Sequence, residues 1–158
     1  MMKPALLLIV ACLTTLPLAA QADTLQCQNP SEEQIAKLFD RWNESLQTGD
    51  PKKVVANYAP KSVLLPTVSN TPRLSPESKE EYFRHFLQNK PRGEIISRSI
   101  EIDCNTAFDA GLYTFSFANG TSVPARYTFT YKWNAERGEW LITSHHSSAM
   151  PEQAQTIH

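Results

Sequence analysis

The stretch Ser144–His145–His146–Ser147–Ser148 sets two histidines and two serines side by side, shortly before Pro151. These residue types can ligate a metal, pair a nucleophile with its base, or supply polar points to a pocket wall. The preceding Trp140–Leu141–Ile142–Thr143 reads as a strand, and adjacent side chains on a strand take opposite faces. His145 and His146 therefore cannot share one metal unless a bulge intervenes. The remaining histidines, His85 and His158, fall on a helix and at the terminus, so no metal is expected. His145 and Ser147 do share a face. Two strand steps place their Cβ atoms several ångströms apart, a spacing of neighbours in a wall more than of a nucleophile and its base. The chain has no Gly-x-Ser-x-Gly elbow. His145 remains the candidate general base or pocket group, with Ser147 beside it. His146 and Ser148 are expected to tie the strand end to a neighbouring backbone or subunit.

A second group of candidates lies on the strand Arg126–Trp133. Tyr127, Phe129, Tyr131 and Trp133 share one face, and Arg126, Thr128, Thr130 and Lys132 the other. The aromatic face is either plain core or, with Tyr131 and Tyr113, the lining of an apolar cavity with hydroxyls as polar points. The Thr-rich face is a candidate dimer surface. Tyr58, read as closing the second helix, and Arg73, read as following a loop, are expected at the pocket mouth. Arg73 meets either an acidic group or solvent. Asp50 is explained as a helix cap, and Asp103 and Asp109 are read near turns. No partner acid for His145 is visible, and no cofactor is expected.

These residues need elements to hold them. Ser31 with Gln34 fits a capping box, and Ile35, Phe39, Trp42 and Leu46 follow at helical spacing. Gly49 ends that helix. Asp50–Pro51 opens a short second helix with Val54, Val55 and Tyr58 on its apolar side. Ser75–Pro76 opens a third, with Tyr82, Phe83, Phe86 and Leu87 as its buried stripe. Ser62–Leu65 reads as an edge strand, since Pro66 would break a central ladder. After Pro91 the pattern turns alternating. Strands are expected over Ile95–Asp103, Gly111–Ala118, Arg126–Trp133 and Trp140–Ser147, with turns at Asn119–Gly120 and Asn134–Gly138. Helices followed by an antiparallel meander make an α+β layout, helices on one face of a curved sheet.

The first residues read as a leader. Lys3, an apolar run from Ala5 to Leu13 and Ala20–Gln21–Ala22 form a secretory signal peptide with cleavage expected after Ala22. A lipoprotein-type cut at Cys12 is the rival. The remaining chain is the right size for one domain. The formal net charge is −1 before the leader's Lys3 is lost, which offers no basic stripe to nucleic acid. Export leaves Cys27 and Cys104, which read as one disulfide, or else as two buried thiols. A periplasmic or secreted protein without a membrane anchor is expected.

Trp133 and Trp140 stand seven residues apart around Gly138, and "LITSHHSSAMP" follows. This hairpin resembles the C-terminal hairpin of the calcium/calmodulin-dependent kinase II association domain, with His146, Ser148 and Pro151 on its His-x-Ser and proline positions. "TGDPKKVVANYAPKSVLL" is similar to the opening of SnoaL-like and nuclear transport factor two-like proteins. The resemblance spans residues 31–152, leaving 23–30 as an extension and 153–158 as a tail. It implies a cone-shaped half-barrel, three N-terminal helices packed on a strongly curved, mostly antiparallel sheet, with a pocket between them. It also implies a homodimer or larger ring. Members are isomerases, dehydratases and cyclases, or only bind and assemble, so fold alone does not give function. The kinase-type pocket carries arginines on three strands. The matching positions are Tyr113, Tyr131 and Ser147, so a taste for anions does not carry over, nor do kinase or calmodulin partners. The expectation is an exported domain that binds a small hydrophobic molecule or assembles. The rivals are a cofactor-free acid–base enzyme acting on such a molecule and a pure interaction module with a closed cavity.

Overall fold

The computed structural model describes residues 26–151. The leader, the Cys12 site and the tail after Pro151 lie outside the described residues. Helix α1 is Glu32–Gln47, α2 Pro51–Val55 and α3 Pro76–Phe86, the last extended by a 3₁₀ turn at Leu87–Asn89. The strands are β1 Tyr58–Leu65, β2 Arg92–Asp103, β3 Thr106–Ser116, β4 Ser122–Asn134 and β5 Glu139–Ala149. They form one sheet in the order β1-β5-β4-β3-β2, with β1 parallel to β5 and every other pair antiparallel. The architecture is the expected α+β layout, helices on one face of a mostly antiparallel sheet.

Local signals account for the helices. The Ser31 and Gln34 side chains exchange hydrogen bonds with each other's backbone N–H at 3.2 and 2.8 Å. Ile35, Phe39, Trp42 and Leu46 bury one stripe of α1 against the sheet, each contributing about 2 kcal/mol through lost apolar surface. Asp50 and Ser75 cap α2 and α3, each followed by proline. The second helix is shorter than its apolar pattern suggests. Asn57 Nδ2 donates to the carbonyls of Lys53 and Val54, both at 3.1 Å, and satisfies the helix end. The Asn57 carbonyl then accepts from Ile142 N–H at 2.9 Å. The chain thus enters the sheet at once, and Tyr58 opens β1 instead of closing α2.

Two bulges decide which strand residues face the helices. In β2 the register shifts between Ile95 and Ser97. The extra residue, Ile96, is left exposed, while Ile95 and Arg98 both reach the concave face. Gly111 lies opposite; a Cβ there would sit 2.0 Å from the Ser97 carbonyl oxygen, so only glycine allows this approach. In β5, Tyr131 pairs with Ile142 but Thr130 pairs with Ser144, which leaves Thr143 as the extra residue. Trp140 and Ile142 are therefore buried on the same side as His145 and Ser147, against simple alternation.

Cys27 and Cys104 form a disulfide across 77 residues. It fastens the segment before α1 to the β2–β3 turn, where Gln28 N–H donates to Asn105 Oδ1 at 3.1 Å and Asn105 Nδ2 donates to the Gln26 carbonyl at 3.1 Å. Such a bond is consistent with an oxidising, exported location.

Candidate functional site

The strand registers place six side chains in one row across the concave face: Ile100, Asp109, Phe129, His145, Leu64 and Arg73. Directly paired residues point to the same side of a sheet. The β5–β1 half of this row opens onto a cavity of about 360 Å³. Trp42 from α1, Tyr82 and Phe86 from α3, and Phe115 and Phe117 at the end of β3 give it an aromatic wall. Arg73, Tyr113, His145 and Ser147 are its polar points, and Glu81 and His85 stand exposed at its rim. The α3 stripe expected to be core is thus split: Phe83 and Leu87 are buried, while Tyr82 and Phe86 are half-buried on the cavity.

His145 is 3 % exposed. Its ring stacks on Phe129 with centroids 3.9 Å apart and meets the edge of Trp42 at 5.1 Å. The Trp42 indole N–H donates to the Tyr58 hydroxyl oxygen at 3.2 Å. Tyr58 and His145 Nδ1 are 2.9 Å apart. The Tyr58 oxygen accepts from the indole, and Nδ1 is the one acceptor within reach of its buried O–H among the described residues, so the Tyr58 proton goes to Nδ1. The proton of the neutral imidazole is then on Nε2, which is buried with no hydrogen-bond partner. Burial, with the nearby charge of His146, pushes this imidazole down to about 3. His145 is therefore a neutral donor at physiological pH, with its basic nitrogen already occupied. That arrangement suits hydrogen-bond recognition better than proton abstraction.

Ser147 Oγ accepts from the Tyr113 hydroxyl at 2.6 Å and also touches Thr67 Oγ1. Burial pushes the Tyr113 phenol above its ordinary range, so it stays a donor. Arg73 is fixed by its backbone, which exchanges hydrogen bonds with Leu64 at 2.9 and 3.0 Å. Its guanidinium carbon lies 6.0 Å from the centre of the Tyr82 ring. Its Nε is buried without a partner, and it pairs with no carboxylate among the described residues.

Arg73, Tyr113, His145 and Ser147 thus meet in one wall. Tyr58 does not face the cavity; it stands behind His145 and sets its tautomer. Tyr131 does not line it either. Phe129 stacks on both Tyr131, at 5.9 Å, and His145, so Tyr131 sits one row deeper, its hydroxyl buried and unpartnered. His146 points outward and is exposed, while Ser148 Oγ accepts from Arg126 Nε at 3.1 Å on the outer face.

Asp109 is not at a turn. It faces inward in the middle of β3, fully buried. Arg98 donates to it through Nε at 3.3 Å and Nη2 at 2.7 Å, and the Tyr127 hydroxyl through a 2.7 Å bond. The shift from Ile95 to Ile100 and Ile102 on the apolar face of β2 is the sequence signal of the bulge that brings Arg98 there. A buried cation, Lys79, also escapes a pattern search. Its Nζ donates to the carbonyls of Ser62 and Leu74 at 2.8 and 3.1 Å, and burial lowers its pKa.

The curved sheet with helices in its concavity defines a cystatin-like, nuclear transport factor two-like fold. Solved relatives of that class include a protein of unknown function from Pseudomonas putida, 16 % identical over 78 % of this chain and 89 % of that one, with a TM-score of 0.67. Another, from Novosphingobium aromaticivorans, is 11 % identical over 75 % and 81 %, with a TM-score of 0.63. The family model of the calcium/calmodulin dependent protein kinase II association domain matches residues 31–151. A structure from Xanthomonas campestris assigned to that same domain is 48 % identical, covering 82 % of this chain and 94 % of that one, with a TM-score of 0.74. The chain belongs to the kinase II association-domain family. A search of curated proteins finds no match.

Proposed function

We propose that this chain is an exported small-molecule-binding domain, working as a dimer or larger assembly, with the aromatic cavity as its binding site. One observation carries the reading. An apolar cavity of about 360 Å³ has in its wall a buried His145 whose Nε2–H has no partner. An unpaired buried donor costs roughly 1–3 kcal/mol, and a bound molecule offering an acceptor removes that cost. The cavity size is that of a pocket for a small organic molecule.

The acid–base alternative has less support. Its best group, His145, has its basic Nδ1 taken up by Tyr58 and its pKa lowered by burial to about 3. Asp109 is committed to Arg98 and Tyr127. Export is supported by the disulfide, and assembly by the family, whose association domains give it its name.

Native mass spectrometry of the protein isolated from its own periplasm tests the reading. The expected species is an oligomer of chains beginning at Asp23, each two hydrogens below the reduced mass, carrying a small apolar molecule released on denaturation. Ligand-free subunits that also bind no member of a small aromatic library would defeat it.

A further inference from the structure

The row His145–Leu64–Arg73 places two unpaired donors on either side of one aliphatic side chain. Each step across a sheet is about 4.8 Å, so the two backbones stand roughly 10 Å apart. The donors differ in kind. Arg73 is a permanent cation, held by its Leu64 backbone bonds and packed against Tyr82. His145 is neutral, as its Tyr58 bond requires. The other titratable side chains on this wall are Glu81 and His85, both exposed on α3 and free to turn into solvent, and the protonated phenols of Tyr82 and Tyr113. Within the enclosed part of the cavity the only fixed charge among the described residues is positive. No carboxylate of the described residues neutralises it. An arginine left without a counter-ion beside an aromatic cavity is a receptor for a planar anion, which its guanidinium can grip through two parallel bonds.

We infer that the cavity takes a small organic acid: an apolar, preferably aromatic body ending in one carboxylate, with the carboxylate on Arg73 and an acceptor atom at the inner end of the body on His145 Nε2–H. This rests on the binding reading above and names its ligand class. It also reverses an expectation. The strand positions that carry arginines in the kinase-type domain are Tyr113, Tyr131 and Ser147 here, yet positive charge reaches this cavity from a different segment, the turn between β1 and α3. The Tyr113, Ser147 and Thr67 hydroxyls are linked to one another, and Arg73 and His145 read the two ends of the ligand.

The test uses the full mature chain and a matched set of probes: 3-(4-nitrophenyl)propanoate, its amide, and 3-phenylpropanoate. Binding is read by calorimetry and by quenching of tryptophan fluorescence, since Trp42 lines the cavity. A charge-assisted bond predicts that the nitro acid binds about tenfold or more tighter than its amide. That advantage shrinks with salt, disappears in Arg73→Gln and is partly kept in Arg73→Lys. The nitro acid also binds better than 3-phenylpropanoate, and His145→Phe removes that second difference while leaving the first. Equal binding of acid and amide, or an acid advantage unchanged in Arg73→Gln, overturns the inference while the cavity stands as a binding site. No binding by any probe at millimolar concentration overturns both. Thermal melting of each variant shows that the folds being compared are intact.

Discussion

Asp109 and His145 occupy the same transverse row of the sheet, on either side of Phe129, and both are buried. One is surrounded and one is left open. Asp109 is fully buried and receives three hydrogen bonds, two of them from a cation. His145 has one bond, to Tyr58, and a buried Nε2–H with no partner in the wall of the cavity. A buried polar group that is fully satisfied fixes the packing of its neighbourhood. A buried group left half-satisfied is an unspent interaction, and in this molecule it coincides with the cavity. Along this row the contrast separates a structural end, on β2 and β3, from an end on β5 and β1 that lines the cavity.

The sharpest way to break the comparison is Asp109→Asn. It leaves Arg98 facing the core without its carboxylate and should cost about 3 kcal/mol in urea unfolding. Because Arg98 keeps a quarter of its side chain in solvent, a still larger loss is not expected. A cost below about 1 kcal/mol would remove the structural role given to this pair.

His145 predicts a pH effect. Its folded-state pKa is lowered from the usual 6.5 to about 3, so the unfolded chain takes up a proton that the folded one refuses. Stability from this residue is complete above pH 6.5 and is lost as pH falls toward 3, by about 1.4 kcal/mol per unit. From pH 6.5 to 5 the wild type should therefore lose about 2 kcal/mol more than His145→Leu, a window chosen to lie above most carboxylate titration. Parallel stability curves for the two proteins would show that His145 is not held neutral.

Gly111→Ala tests whether the bulge beneath Arg98 is needed. The added Cβ has to displace the Ser97 carbonyl, and a loss of about 2 kcal/mol is expected, with Arg98 drawn away from Asp109. The finest contrast uses two tyrosines of β4. Tyr127→Phe deletes a bond to a charged carboxylate and should cost about 1.5–2 kcal/mol. Tyr131→Phe deletes an unpartnered hydroxyl and should leave stability unchanged or raise it slightly. Equal costs for the two would mean that the Tyr131 hydroxyl has a partner in solution.

Much of this could be read from the chain. The Ser31–Gln34 box, the Ile35–Leu46 stripe and the Asn119–Gly120 turn are local signals, and each marks an element that forms. The parity of His145 and Ser147 places both in the cavity wall because no bulge separates them. What failed was non-local. Tyr131 has the right parity for the cavity, but only the position of Phe129 relative to His145 shows that it is screened. Asp109 is an acid in an alternating strand, and nothing near it in sequence names Arg98 as its partner. The Ile95 to Ile100 phase change hints at the bulge, yet its depth depends on Gly111 in the next strand. Arg73 reads as a solvated loop residue until its backbone bonds to Leu64 line it up with His145.

The Cys27–Cys104 bond closes a ring that contains α1, α2, β1, α3 and the whole of β2, and with them the connection running from Pro66 to Leu74. That connection carries Val68, which is 87 % exposed, and Arg73. Exposed loop tips of this kind are where proteases cut first. A single cut there opens the ring without dividing the molecule: both pieces remain one covalent body, of unchanged mass but for one water, until a reductant releases them.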